Sequence, residues 1–165
     1  MTIHTRTYSP ADIHVMVTAG DGTMRIADFE TVDVDMAEDK FTHRSSATGH
    51  VSRTFHPNRL GTISITVAMT STVNNYMYDV YEGIRKGRRR GVFATVSVTD
   101  KLGTSLHKIM EASLQRVPNK NYSGEVADVT WVFEGLLEDH IVGGSKYTTE
   151  DTVPEPPDAI DDDTD

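Results

Sequence analysis

The sequence has no cysteine, which removes disulfides, thiolate metal sites and a cysteine nucleophile together. It has no apolar run long enough to cross a bilayer as a helix, so no membrane partner is expected. The opening residues, Met1-Thr2-Ile3-His4-Thr5-Arg6, lack the basic-then-apolar order of a secretory signal, and folding inside the cell is expected. No HExxH or paired Cys/His spacing occurs, and no glycine loop of the phosphate-cradling kind. Ser9, Ser45 and Ser46 lack the glycine context of a nucleophile elbow. With these signatures missing, neither catalysis nor a cofactor is expected.

What is present is a chain of 165 residues, one domain's worth, with strong apolar alternation. Ile13, Val15 and Val17 alternate with His14, Met16 and Thr18, and Gly20-Asp21-Gly22 turns the chain back through Met24 and Ile26. Val32, Val34 and Met36 alternate with Thr31, Asp33 and Asp35. Val51, Arg53 and Phe55 form a shorter run, and Ile63, Ile65, Val67 and Met69 against Thr62, Ser64, Thr66 and Ala68 form the clearest one. One segment, 72–84, reads as an amphipathic helix, with Val73, Met77, Val80, Tyr81 and Ile84 at helical spacing and Ser71 or Thr72 as its cap.

Strands resume at 92–99, turn at Asp100-Lys101-Leu102-Gly103, and return from Ser105 to about Val117 before Pro118. The last strand spans 126–142, with Val129, Trp131 and Phe133 opposite Thr130, Val132 and Glu134, and a bend is expected near Gly135. The fold class is mainly β: an antiparallel barrel or sandwich flanked by one α-helix. Residues 1–147 make that domain.

Charge is unevenly spread. Eight acids against Lys146 alone leave residues 144–165 at −7, so the rest of the chain carries only about −2 of the total −9. With Pro154, Pro156 and Pro157 among those acids, 148–165 reads as a flexible acidic tail. His43, His50 and His56 lie in one region without ligand spacing, so they read as polar loop and strand positions, and no metal is expected. Asp33, Asp35, Glu38 and Asp39 read as a solvated face and its flank, since paired carboxylates do chemistry only when they converge in a pocket. Arg85-Lys86-Gly87-Arg88-Arg89-Arg90-Gly91 is the one dense basic run. It lacks interleaved aromatics, so it reads first as a solvated turn after the helix; nucleic-acid binding or docking to an acidic surface stays open.

The order Met36-Ala37-Glu38-Asp39-Lys40, a polar loop with Gly49, Gly61-Thr62-Ile63-Ser64-Ile65-Thr66-Val67 and Thr70-Ser71-Thr72-Val73-Asn74 resembles the tube proteins of contractile phage tails. Asp128-Val129-Thr130-Trp131-Val132-Phe133-Glu134-Gly135 is similar to their C-terminal strand, and the likeness covers residues 8–143. It implies a barrel-like fold with one helix, and a subunit that partners itself in six-membered rings stacked as a tube. It also implies a virion tail location after synthesis in the host bacterial cytoplasm, a sheath outside, and a tape-measure protein and passing DNA inside. The polar segment 38–50, with Glu38, Asp39, Lys40, Thr42, His43, Arg44 and Gly49, would then be a loop reaching a neighbouring subunit.

A conduit for DNA must not bind it, because each neutralised phosphate adds affinity through counterion release. The wall is therefore expected to be acidic or neutral, with Asp33 and Asp35 as candidates and Glu125 and Asp128 behind them. Arg85, Lys86, Arg88, Arg89 and Arg90 are expected outside or at an interface. Two rivals stay open: a tube of a related secretion or bacteriocin system, and a monomeric β-barrel binding module.

Overall fold

Most strands of this chain offer one apolar face, and the computed structural model shows how seven strands join in one sheet. It describes residues 8–145; the acidic segment 148–165 lies outside them. After a short 3-10 turn at Pro10–Asp12, the strands are β1 (Ile13–Ala19), β2 (Gly22–Ile26), β3 (Thr31–Met36), β4 (Phe41–Ser45), β5 (Val51–Phe55) and β6 (Leu60–Ala68). Helix α1 (Val73–Gly87) follows, then β7 (Ala94–Asp100), β8 (Leu106–Leu114) and β9 (Asp128–Ile141). All pairings are antiparallel, in a seven-stranded sheet ordered β2-β1-β7-β8-β9-β6-β3 and a separate β4-β5 pair. The expected class holds: mainly β, antiparallel, with one helix. The sheet curls in a sandwich-like way and is not a hydrogen-bonded closed barrel, since β2 and β3 are its edges.

The alternation decides what lies inside. Val15, Val17, Ile63, Ile65, Val67, Val96, Ile109, Trp131 and Phe133 all point into one core, joined by Val73, Met77 and Val80 from α1. Among the described residues no helix is long and apolar enough to cross a membrane.

The helix begins where β6 runs out. Ser71 Oγ accepts from the Val73 N–H at 3.2 Å, so Ser71 supplies the cap. Asn74 then ties the corner together: its Nδ2 donates to the Ala68 and Ser71 carbonyls at 3.0 and 3.1 Å. Its Oδ1 accepts the buried Trp131 Nε1–H at 2.9 Å. Tyr76 donates its hydroxyl to the Val17 carbonyl at 3.1 Å, which fixes the helix against β1. Gly83 does not interrupt the helix, which ends at Gly87 and passes through a 3-10 turn, Arg88–Arg90, to Gly91 in the left-handed region.

One expectation is corrected. The segment 38–50 is not a loop, because Phe41–Ser45 is a strand paired residue for residue with Val51–Phe55. Only Ser46 to His50 turn, with the Ser46 N–H on the His50 carbonyl at 2.8 Å and Gly49 at φ +84°. Near Gly135, where a bend is expected, β9 runs on as one strand from Asp128 to Ile141 while its register to β8 slips. The register slips twice: Met110 pairs Leu136 and Ser113 pairs Glu134, so Glu111 and Ala112 of β8 face Gly135 alone, and Lys108 pairs Asp139 while Ile109 pairs Leu137, so Glu138 is an extra residue in β9. Glu111 takes a φ of +51°, and a Cβ on Gly135 would meet the Met110 carbonyl oxygen at 2.7 Å. The glycine makes room for a bulge in its neighbour.

Candidate functional site

No enclosed reactive cluster emerges from these elements. Among the described residues no group of three His, Asp or Glu side chains could hold a metal ion. His43 and His50 stay on the hairpin, while His56 Nε2 meets Thr42 Oγ1 at 3.1 Å. A cleft of about 590 Å³ lies between β3 and the β1–β7 side of the sheet, lined by Tyr8, Ile13, Phe29, Val32, Val98 and His107. The molecule's chemistry lies in three surfaces.

The first is the outer face of β3, β6 and β9. Register places Asp33 beside Ser64 and Val132, Asp35 beside Thr62 and Glu134, and Thr31 beside Thr66 and Thr130. Asp33 and Asp35 are exposed, and Asp128 lies further along the same face of β9. The Thr66 and Thr130 hydroxyls bond each other at 2.9 Å. Glu125 is not on a strand; it follows the turn at Ser123 in the exposed loop before β9. Glu134 and Glu111 add charge to this side, sharing a hollow with Ser113 and Gln115, and Glu134 contacts the Gln115 amide. Neither had been singled out from sequence; Glu134 alternates with Val132, but only the register places it beside Asp35. Lys108 sits on Glu138 at 3.1 Å, and Arg116 lines a hollow with Asp128 and Thr130.

The second surface is the β4–β5 hairpin. All of its strand residues are exposed, including Phe41 at 50%, Val51 at 67% and Phe55 at 59%. Phe41 and Phe55 stack with centroids 5.3 Å apart, and the Arg53 guanidinium lies 4.9 Å above Phe41. Thr42, His43 and Arg44 lie on this hairpin and Gly49 in its turn, while Glu38, Asp39 and Lys40 lead into it. The Lys40 carbonyl accepts the His56 N–H at 2.8 Å, so Lys40 closes its base.

The third surface is the end of α1. Arg85 and Lys86 both reach back to Glu82, at 2.8 and 3.6 Å. The Arg85 hydrogen bond holds the Glu82 carboxyl below its ordinary range. Arg88, Arg89 and Arg90 are exposed, and among the described residues no carboxylate pairs with them.

On the inner side at the far end of the sheet, His107 and His140 bring their Nδ1 atoms to 3.0 Å. Burial, and then the neighbouring His140, push His107 below 6.5.

No curated protein matches the chain. Among solved structures, a chain of the six-fold-symmetrised anti-feeding prophage baseplate is similar in fold, at TM-score 0.50 and 12% identity over 83% of this chain and 95% of that one. A chain of the anti-feeding prophage tube-terminating cap aligns at 0.47 and 11%, over 88% of this chain and 95% of that one. One from the PVC sheath–tube complex in its extended state aligns at 0.40 and 14%, over 80% and 88%. These last two are too loose to carry an argument, and the first speaks to fold alone. The decisive match is to sequence: the family model described as bacteriophage PhiTE tail tube protein aligns with residues 5–143. The chain belongs to that family of structural tail tube proteins.

Proposed function

We propose that this protein is the inner tube subunit of a contractile-tailed bacteriophage, stacking as hexameric rings into the conduit for genome ejection. A sheath surrounds the tube, and the tape-measure protein and then DNA occupy it. The observation that carries this reading is the hairpin. A two-stranded ribbon has no independent stability in water and needs a surface to lie on. Its own subunit leaves both faces exposed. Covering Phe41, Val51 and Phe55 with a neighbouring copy would stabilise assembly by roughly 1.5–3 kcal/mol for each side chain fully buried.

The acidic, hydroxyl-rich face around Asp33, Asp35 and Glu134 suits the channel wall, where it repels phosphate. Phe41→Ser with Phe55→Ser is the test, because no core contact is lost. The variant should melt within a few degrees of the parent yet form no tubes by electron microscopy and sedimentation. Normal tubes from it would remove the hairpin from the interface. A parent chain that stays monomeric at every concentration would favour a binding module instead.

A further inference from the structure

The basic run and the acidic C-terminal segment are the two strongest charge concentrations in the chain. Arg85, Lys86, Arg88, Arg89 and Arg90 are all exposed, and among the described residues only the first two meet a carboxylate. Residues 146–165 hold eight acids and one lysine, a charge of −7. No other stretch carries so many bases so close together. The acidic face of β3, β6 and β9 would repel those carboxylates, so the basic run is their natural counterpart on this surface.

Register shows where each lies. Ala19 pairs with Ala94 at one end of the sheet, and Ile13 pairs with Asp100 at the other. The helix belongs to the first end: Gly83, Ile84 and Val92 border a hollow with Ala19 and Gly20. The chain leaves β9 at the second end, where Ser145 bridges to Gly103, beside the β7–β8 turn. Root and basic run are thus separated by the length of the strands, about 20 Å for a seven-residue strand. If copies stack along the strand direction, the root on one copy would face the arginines of the next.

We infer that the acidic segment 146–165 of one copy docks on Arg88, Arg89 and Arg90 of a second copy and holds successive rings in contact. The inference rests on the assembly reading above. Arginine suits the task, because its planar fork pairs with carboxylates two bonds at a time. Such a contact between exposed charges is individually weak but repeats in every subunit.

A chain without cysteine allows a clean test. Arg89→Cys and Asp162→Cys are placed together in the full-length protein, and tubes are oxidised and run on a denaturing gel. A ladder of covalent multimers is expected, fading at about 1 M salt, where charges are screened beyond roughly 3 Å. Adding Arg88→Glu and Arg90→Glu should reduce the ladder several-fold, and reversing the segment with Asp161→Arg and Asp163→Arg should restore it. A fast-migrating monomer without multimers would place the segment on its own copy and overturn the inference. Tubes without a ladder would also overturn it while leaving the assembly reading intact. A ladder indifferent to the arginine changes would show that charge pairing is not the contact. Absence of both tubes and ladder would remove the inference together with the reading beneath it.

Discussion

Replacing Asn74 with alanine isolates the corner that joins sheet to helix. The substitution deletes an acceptor for the Trp131 indole N–H, at 2.9 Å, and donors to the Ala68 and Ser71 carbonyls. Trp131 is only 3% exposed, so its N–H cannot turn to water. A stranded buried donor costs about 1–3 kcal/mol, and each further bond lost about 0.5–1.5 kcal/mol. The carbonyls near the surface recover part of this from solvent, which leaves about 2–4 kcal/mol in total. For a domain of this size that is a fall in melting temperature of about 5–15 °C. The assay is thermal and urea unfolding of dilute subunit, followed by far-ultraviolet circular dichroism so that tryptophan variants remain readable. A double-mutant cycle with Trp131→Phe sharpens it, because removing the indole in the Asn74→Ala background also removes the stranded donor. The pair should therefore cost clearly less than the sum of its singles. A single-variant loss below about 0.5 kcal/mol, the range of ordinary surface changes, would refute the reasoning, and so would strict additivity.

Two further outcomes follow from the other surfaces. His107 is held below its ordinary 6.5, so the unfolded chain binds the proton more readily. Its neutral form contributes stability above about pH 6.5 that drains away as pH falls through and below that value. Parent protein should lose more melting temperature than His107→Gln between about pH 7.5 and 5.5, and equal losses would show that His107 is not the group responsible. Asp33→Lys with Asp35→Lys should assemble normally but slow genome ejection, most at low salt; ejection unchanged at every salt concentration would take these carboxylates off the channel wall.

Alternation in a sequence is strongest where one face of a strand is buried, and that explains most of what could be read. In β1, β3 and β6 one face meets the core, so Val15 and Val17, Val32 and Val34, and Ile63, Ile65 and Val67 announce themselves. Neither strand of the β4–β5 hairpin has a buried face; Val51, Arg53 and Phe55 still alternate with Ser52 and Thr54, whereas Phe41-Thr42-His43-Arg44-Ser45 has a single apolar residue and passes for a loop. In β8 the inward residues are Ile109, Ala112 and Leu114, a phase slip that hid the strand's end at Leu114. The candidate face was half legible. Asp33 and Asp35 follow from alternation within one strand, whereas Glu134 needs the pairing of three strands to join them. Asn74 stood inside a recognisable motif, but its partner Trp131 lies 57 residues away, a separation that local pattern does not span.

The bulge at Glu111 bears on how a wall built from copies of this chain would curve. A ring of identical subunits closes only when each turns the wall through an equal share of the circle. A β-bulge bends its strand and adds a fixed increment of twist that side-chain packing elsewhere does not supply. Here the increment falls mid-sheet, with Thr95 on one side and Gly135 on the other opposite the extra residue of β8. It is held by a glutamate at φ +51°, a conformation that costs a non-glycine residue about 1–3 kcal/mol. If the copies close into a ring, part of its circumference is written in that one backbone angle, and the glycine across from it is the clearance that lets the angle persist.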